Sequence, residues 1–486
     1  DAATGAPQAA LAASWAVSAD GLLWEFKLRE DAVWVRYIPA TERFETKRGI
    51  NAHDVVYSVR RLFDPRLKSS FAPTFAPLVR GAESLRGADP QTAYADLEKL
   101  FLALGIHAVD NFTVRFTLTR PASFFPSIVS AWLVRVVPRE IVEAGGAGWT
   151  EPNAIWTNGP YVLERWAHHR EIILKKNPHW YNAASVQIER IRFAMIADTT
   201  TALEQYQSGS LDSLDPYGGL APTNIDRLKE DPLFKGQLQF APTLCTHYYA
   251  FNTSKPPFND VRVRKAFSAA LDRETITSAI VKLGEPARWF TRPGIFASAD
   301  ISDTLGIAYN PQQAREWIKQ AGYDKKKFPP ITLAVNSNDT HERIAETAVN
   351  MWKNTLGAEV TTKTLDWKNY LQTLREDPPQ IFRLGWCAYY PDAAGFAEPA
   401  FRGGAPDNFA RWNHPPYDRL LDSAARETDL TRRRAQYRAA DNMLAEESAV
   451  IAPLWWSLRA TLTKPNVRRT FAITDGYERF ETWRMD

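Results

Sequence analysis

Phe382-Arg383-Leu384-Gly385-Trp386-Cys387-Ala388-Tyr389-Tyr390-Pro391-Asp392 is the stretch on which the reading of this chain turns. It sets a cation, an indole, a thiol, two phenols and an acid side by side. Ile381 to Leu384 is apolar enough to predict a buried strand. Pro391 has no N–H to donate and ends any ladder that reaches it. Trp386, Tyr389 and Tyr390 then supply flat faces. Two readings stand together: the wall of a ligand cleft, or a core strand followed by a surface turn.

The chain has 2 cysteines, so the sole covalent partner for Cys387 is Cys245. Cys245 lies in Leu244-Cys245-Thr246-His247-Tyr248-Tyr249-Ala250-Phe251-Asn252, a second apolar, β-rich run. Neighbouring strands would bring the thiols together. The bridge would close a long loop and stabilise the fold by up to about 5 kcal/mol. A disulfide implies an oxidising compartment. Two free, buried cysteines are equally compatible with these residues.

At 486 residues the chain is too long for one core, and two or three domains are expected. With 59 basic against 56 acidic side chains, the net charge of +3 gives no pull toward nucleic acid or an anionic membrane. Arg432-Arg433-Arg434 is a dense basic cluster and reads as the solvated face of a helix. No apolar run reaches bilayer-spanning length; Ser127 to Pro138 comes closest and Arg135 interrupts it. No signal peptide is legible at Asp1.

Helical and strand patterns alternate along much of the chain, which predicts α/β sheets. Trp24, Phe26 and Leu28 alternate as a half-buried strand. Arg36 to Gly49 is polar and irregular and reads as an exposed loop. Asn259-Asp260, Asn310-Pro311 and Asp366 are helix starts. Ile344, Ala348, Met351, Trp352 and Leu356 form one stripe of a long helix. Val450 to Leu458 and Thr461 to Thr463 read as closing strands.

Enzyme signatures are missing. There is no GxSxG, Walker loop, CxxC or HExxH; His341-Glu342-Arg343-Ile344-Ala345 begins like a zinc helix, but Ala345 replaces the second histidine. The pair His168-His169 points to opposite faces of a strand and makes a poor metal site. No catalytic residue, metal site or cofactor is expected.

Several ordered segments resemble the family 5 extracellular solute-binding proteins, the peptide-binding components of ABC importers. They are Ala13-Ser14-Trp15 with Trp24 to Arg29, Ala52 to Ser58, Thr157-Asn158-Gly159-Pro160-Tyr161, Asn177-Pro178-His179-Trp180-Tyr181, Leu244-Cys245-Thr246, Pro256 to Arg264, and Gly385-Trp386-Cys387-Ala388. The resemblance implies an α/β, periplasmic-binding-protein-like type II clamshell, with two lobes and a peripheral third domain. The expected division is 1–156 for the peripheral domain, 157–244 with 457–486 for the main first-lobe domain, and 245–456 for the second lobe. It also implies that Cys245 and Cys387 are disulfide partners. Arg383 and His341 match positions that meet the ligand's carboxylate end; Trp367 and Trp386 match aromatic positions around side-chain pockets, and Tyr248 is a candidate of the same kind.

Two departures stand out. The family carries an aspartate two residues after the second cysteine, where it holds the peptide's ammonium. Here that residue is Tyr389, a neutral phenol. Asp392 is the candidate replacement. Only Asp1 to Ala12 precede the Ala-Ser-Trp signature, where the family has a longer segment. The expectation is a processed or incompletely represented form, with a separate N-terminal fragment or an N-terminal membrane anchor outside this chain. The implied function is a monomeric periplasmic or extracellular receptor. It would bind short peptides and deliver them to an ABC permease. The alternatives are the same clamshell binding an amine-free solute, such as a saccharide or blocked peptide, and a secreted hydrolase.

Overall fold

The computed structural model describes residues 5–69, 71–214, 220, 224–471 and 478–486. Its principal sheet is organised by one strand, Leu238–Phe251, which is 14 residues long. On one side it pairs antiparallel with Ile451–Thr463, and on the other antiparallel with Ile381–Cys387. Beyond the latter, Ile331–Asn336 and then Val360–Leu365 add in parallel; Ser213–Leu214 and Gly284–Pro286 pair with Ile451–Thr463.

Both faces of this sheet are covered, which is why Leu244 to Phe251 reads as a continuous apolar run. The period-two rule divides it cleanly. Tyr249 and Phe251 enter one core with Phe267, Leu333, Ile344 and Trp352, while Tyr248 and Ala250 enter another with Phe290, Phe382, Phe396 and Phe401. Helix Asp339–Leu356 lays Ile344, Ala348 and Trp352 onto the first face. The expected caps are in place. Asp260 precedes helix Val261–Ala269, Asn310 precedes Pro311–Gln320, and Asp366 precedes Trp367–Glu376; each accepts first-turn N–H groups.

The ladder between Leu238–Phe251 and Ile451–Thr463 has two register shifts, between Pro242 and Thr246 and between His247 and Tyr248. Pro242 and Pro453 stand at them, and neither has an N–H to donate. The segment expected as two closing strands is this one strand, Ile451–Thr463.

Earlier in the chain, Ala12–Val17, Leu23–Leu28, Thr113–Thr117 and Ile106–Asp110 form a four-stranded sheet that buries Trp24, Phe26 and Leu28. Its core runs on into helices Ala394–Phe401, Pro415–Arg426 and Leu430–Asn442. Phe124 stacks on Tyr390 at 6.0 Å there. A three-stranded sheet is built from Tyr161–Ala167, Glu171–Lys176 and Arg190–Ala194.

Two local expectations are corrected. Arg36 to Gly49 is no loop: Val33–Ile38 and Arg43–Gly49 form a hairpin. Its second strand exposes most of its polar side chains, which hid the pattern. The charges are nonetheless in register, with Arg36 opposite Glu45 at 2.7 Å. Nor are all three arginines of 432–434 solvated. Arg432 pairs with Glu427 on the surface, but Arg433 is buried and grips Asp392 with two bonds of 2.8 and 2.6 Å.

Asp392 is fully buried, and its Oδ1 also accepts from Ala394 N–H at 2.9 Å. This carboxylate fastens the Pro391 turn to helix Leu430–Asn442. Removing one partner of a buried pair strands the other charge, so Asp392→Asn is expected to lower unfolding free energy by about 3–5 kcal/mol. The double replacement Asp392→Leu with Arg433→Met should cost clearly less than the sum of its singles. Urea denaturation of the wild type and the four variants measures both effects.

Candidate functional site

Arg383 projects from Ile381–Cys387 on the face of Tyr249, its register partner across the ladder. Arg383 is 8% exposed. Among the described residues no carboxylate lies within ion-pair distance of it. Its contacts are neutral. Nη2 donates to Nδ1 of His247 at 2.5 Å, and Nη1 donates to Oδ1 of Asn336 at 3.3 Å. Nε is buried and has no partner. Burial pushes Arg383 below the usual arginine range, while the phenols of Tyr370, Tyr249 and Tyr248 oppose that shift.

His341 completes the group. It sits in the first turn of helix Asp339–Leu356, where its N–H caps onto Asn338. Its Nδ1 lies 3.1 Å from Oδ1 of Asn336. That oxygen only accepts, so neutral His341 carries its proton on Nδ1 and presents a bare Nε2. Burial and then the Arg383 charge push His341 down to about 4. His247 is held well below the ordinary histidine value by burial, then by Arg383 and His341. A fixed cation thus sits between two uncharged imidazoles, beside the positive end of a helix.

Gly385 makes the arrangement possible. A Cβ there would stand 2.7 Å from Nδ1 of His247 and 3.4 Å from Nη2 of Arg383. The His247 ring stacks on Trp455 at 4.2 Å and 12°. Cys245 and Cys387 are register partners two residues further along and are joined by a disulfide.

The other expected site residues do not join this group. Leu384 and Trp386 face the opposite side of the strand from Arg383. The Trp386 indole donates to the carbonyl of Gly395 at 2.8 Å. Trp367 is 52% exposed at a helix start and stacks on Tyr370. Tyr370 donates to the carbonyl of Arg383, which links the two faces. Tyr389 is 46% exposed and lies edge-on to Phe71 at 6.0 Å; Phe71 in turn meets Trp132 at 4.6 Å. Tyr248 is buried between Phe290 and Phe401 and offers no open ring face. Asp392, expected to stand in for the missing aspartate, is committed to Arg433 instead.

His247, Asn336, Gly385 and Trp455 were missed from sequence. One signal existed. Once Cys245 and Cys387 are paired across an antiparallel ladder, counting two residues inward sets His247 opposite Gly385, and two more set Tyr249 opposite Arg383.

A mixed sheet with helices on both faces, and a charge-bearing strand end beside an aromatic turn, fit a binding protein of the clamshell class. Residues 6–408 match the bacterial extracellular solute-binding proteins, family 5 Middle, and the chain belongs to this family. It is 30% identical over 467 residues to the periplasmic oligopeptide-binding protein OppA of Salmonella typhimurium, covering 95% of this chain and 81% of that protein. Among solved structures, it aligns with the unliganded open form of the periplasmic murein tripeptide-binding protein MppA at a TM-score of 0.84 and 28% identity, covering 98% of this chain and 88% of that one. Against OppA of Haemophilus influenzae in complex with RPPGFSPFR the TM-score is 0.64 at 26% identity, covering 98% and 90%. The fold is the type II clamshell of periplasmic binding proteins, two lobes with a peripheral third domain.

The depressed His341 has a measurable signature. Between 6.5 and about 4 the unfolded chain binds this proton and the folded chain does not, so His341 makes stability fall as pH drops through that window. An NMR titration of the imidazole signals should give a midpoint near 4 for His341, and Arg383→Met should move it upward.

Proposed function

We propose that the protein is the extracytoplasmic receptor of an ABC importer, capturing short peptides between its lobes and passing them to the permease. One observation carries the reading: a buried Arg383 guanidinium with neutral neighbours and no counter-ion among the described residues. Leaving a charge so placed is costly unless an anion arrives. A peptide's terminal carboxylate matches the guanidinium fork and forms charge-assisted bonds with it. The names of the similar proteins, oligopeptide-binding and murein tripeptide-binding, agree with that ligand class.

In this reading residues 245–456 form the second lobe and carry the acid-binding group. Residues 157–244 with 457–486 form the main first-lobe domain, and 1–156 the peripheral one. Hinge closure brings the first lobe over the ligand. Trp367 and Tyr389, whose rings are exposed, are the faces open to ligand side chains, and waters fill the remaining space around them. The receptor works as a monomer in the periplasm or outside the cell, and releases its ligand chemically unchanged. With Tyr389 neutral and Asp392 spent on Arg433, charge recognition is concentrated at the acid end of the ligand.

Calorimetric titration with di- to pentapeptides tests this. Free-acid peptides should bind, and C-terminal amidation should weaken them by about tenfold or more, because it removes a bond to a charged group. N-terminal acetylation should cost much less. Arg383→Met should abolish the difference between acid and amide. Absence of heat and of thermal stabilisation with every peptide would refute the assignment.

A further inference from the structure

The Arg383 side chain is long and flexible, yet its head is held in one place. Asn336 contributes a single bond of 3.3 Å to Nη1, and Nε has no partner. The short contact is the 2.5 Å one, from Nη2 to Nδ1 of His247. His247 is itself immobilised. Its ring lies flat against Trp455, and its strand position opposite Gly385 gives it the only space a β-carbon would have filled.

We propose that His247 is the positioning residue of the acid-binding group: it holds the Arg383 fork aimed at the ligand carboxylate and so sets the preference for free-acid ligands. This rests on the peptide-capture reading and assigns a role to a residue that need not touch the ligand. The physics is preorganisation. A guanidinium already fixed loses little rotamer freedom when the carboxylate arrives, whereas a loose one must be ordered at the expense of affinity. The imidazole suits the task because it is neutral. Its Nδ1 accepts without cancelling the arginine's charge, as a carboxylate in the same place would. The cation is therefore fixed and still uncompensated. His247 carries its own proton on Nε2 in this tautomer. Burial among Arg383, His341 and the Trp455 face keeps a second proton off.

The test compares trialanine with its C-terminal amide on the full chain, by competition calorimetry, in the wild type and three variants. His247→Phe keeps a ring against Trp455 and removes the acceptor. His247→Asn returns an acceptor near the Nδ1 position. Gly385→Ala leaves His247 in place chemically but pushes its ring away. His247→Phe and Gly385→Ala should each cut the acid-over-amide preference by about tenfold, the worth of one charge-assisted bond. Acid affinity should fall much further than amide affinity, and His247→Asn should recover most of the preference. An unchanged preference in His247→Phe or Gly385→Ala overturns the proposal. So does an equal loss of acid and amide binding, which would mark a merely structural residue. Wild-type protein that binds neither of these nor any other di- to pentapeptide overturns the peptide-capture reading, and the role of His247 with it.

Discussion

Everything at the candidate site depends on the register between Leu238–Phe251 and Ile381–Cys387. In a ladder with side chains on alternate faces, a slip of one residue sends each side chain to the wrong side. Tyr249 and Phe251 would leave their core, and Arg383 would enter the aromatic cluster around Phe290 and Phe401. The disulfide ties Cys245 to Cys387 at one fixed pairing and removes that freedom. Hydrophobic burial on both faces specifies the same pairing, so covalent and non-covalent constraints agree.

Two buried arginines show how one residue type serves two ends. Arg433 is neutralised by a bidentate carboxylate and holds a turn to a helix. Arg383 is surrounded by acceptors that carry no charge. Burying an ion costs several kcal/mol, and only a well-matched opposite charge offsets it. In the first case the chain supplies that charge itself. In the second it leaves the deficit open, where a solute can close it. Neutral acceptors alone do not mark recognition, since Arg264 and Arg273 are also buried on carbonyl groups; Arg383 differs in that its Nε is unpartnered and imidazoles flank its head.

Much of the fold was legible because its signals are local. Asp260, Asn310 and Asp366 announced their helices within a few residues, and Trp24 to Leu28 announced its strand by alternation. The hairpin at 33–49 was lost because its second strand exposes most of its polar side chains, leaving no alternation to read. Arg433 was misjudged because three adjacent arginines fan round a helix, and only tertiary packing chooses which one goes inside. At the site, Arg383 and His341 came from family resemblance. His247, Asn336 and Trp455 lie on three different strands, so only a register brings them to one place. Chemistry assembled across strands is invisible to any window that slides along one.

The two proline-marked shifts in the ladder between Leu238–Phe251 and Ile451–Thr463 have a mechanical consequence. Between Pro242 and Thr246 on one strand, and between Leu458 and Trp456 on the other, rungs are missing where both strands run from one end of the sheet to the other. A beam yields where its cross-ties are fewest. Here the gap is braced from its other edge, where Trp455 to Ser457 pair with Gly284–Pro286, so the strand that carries Trp455 is held flat against His247 although rungs are missing beside it.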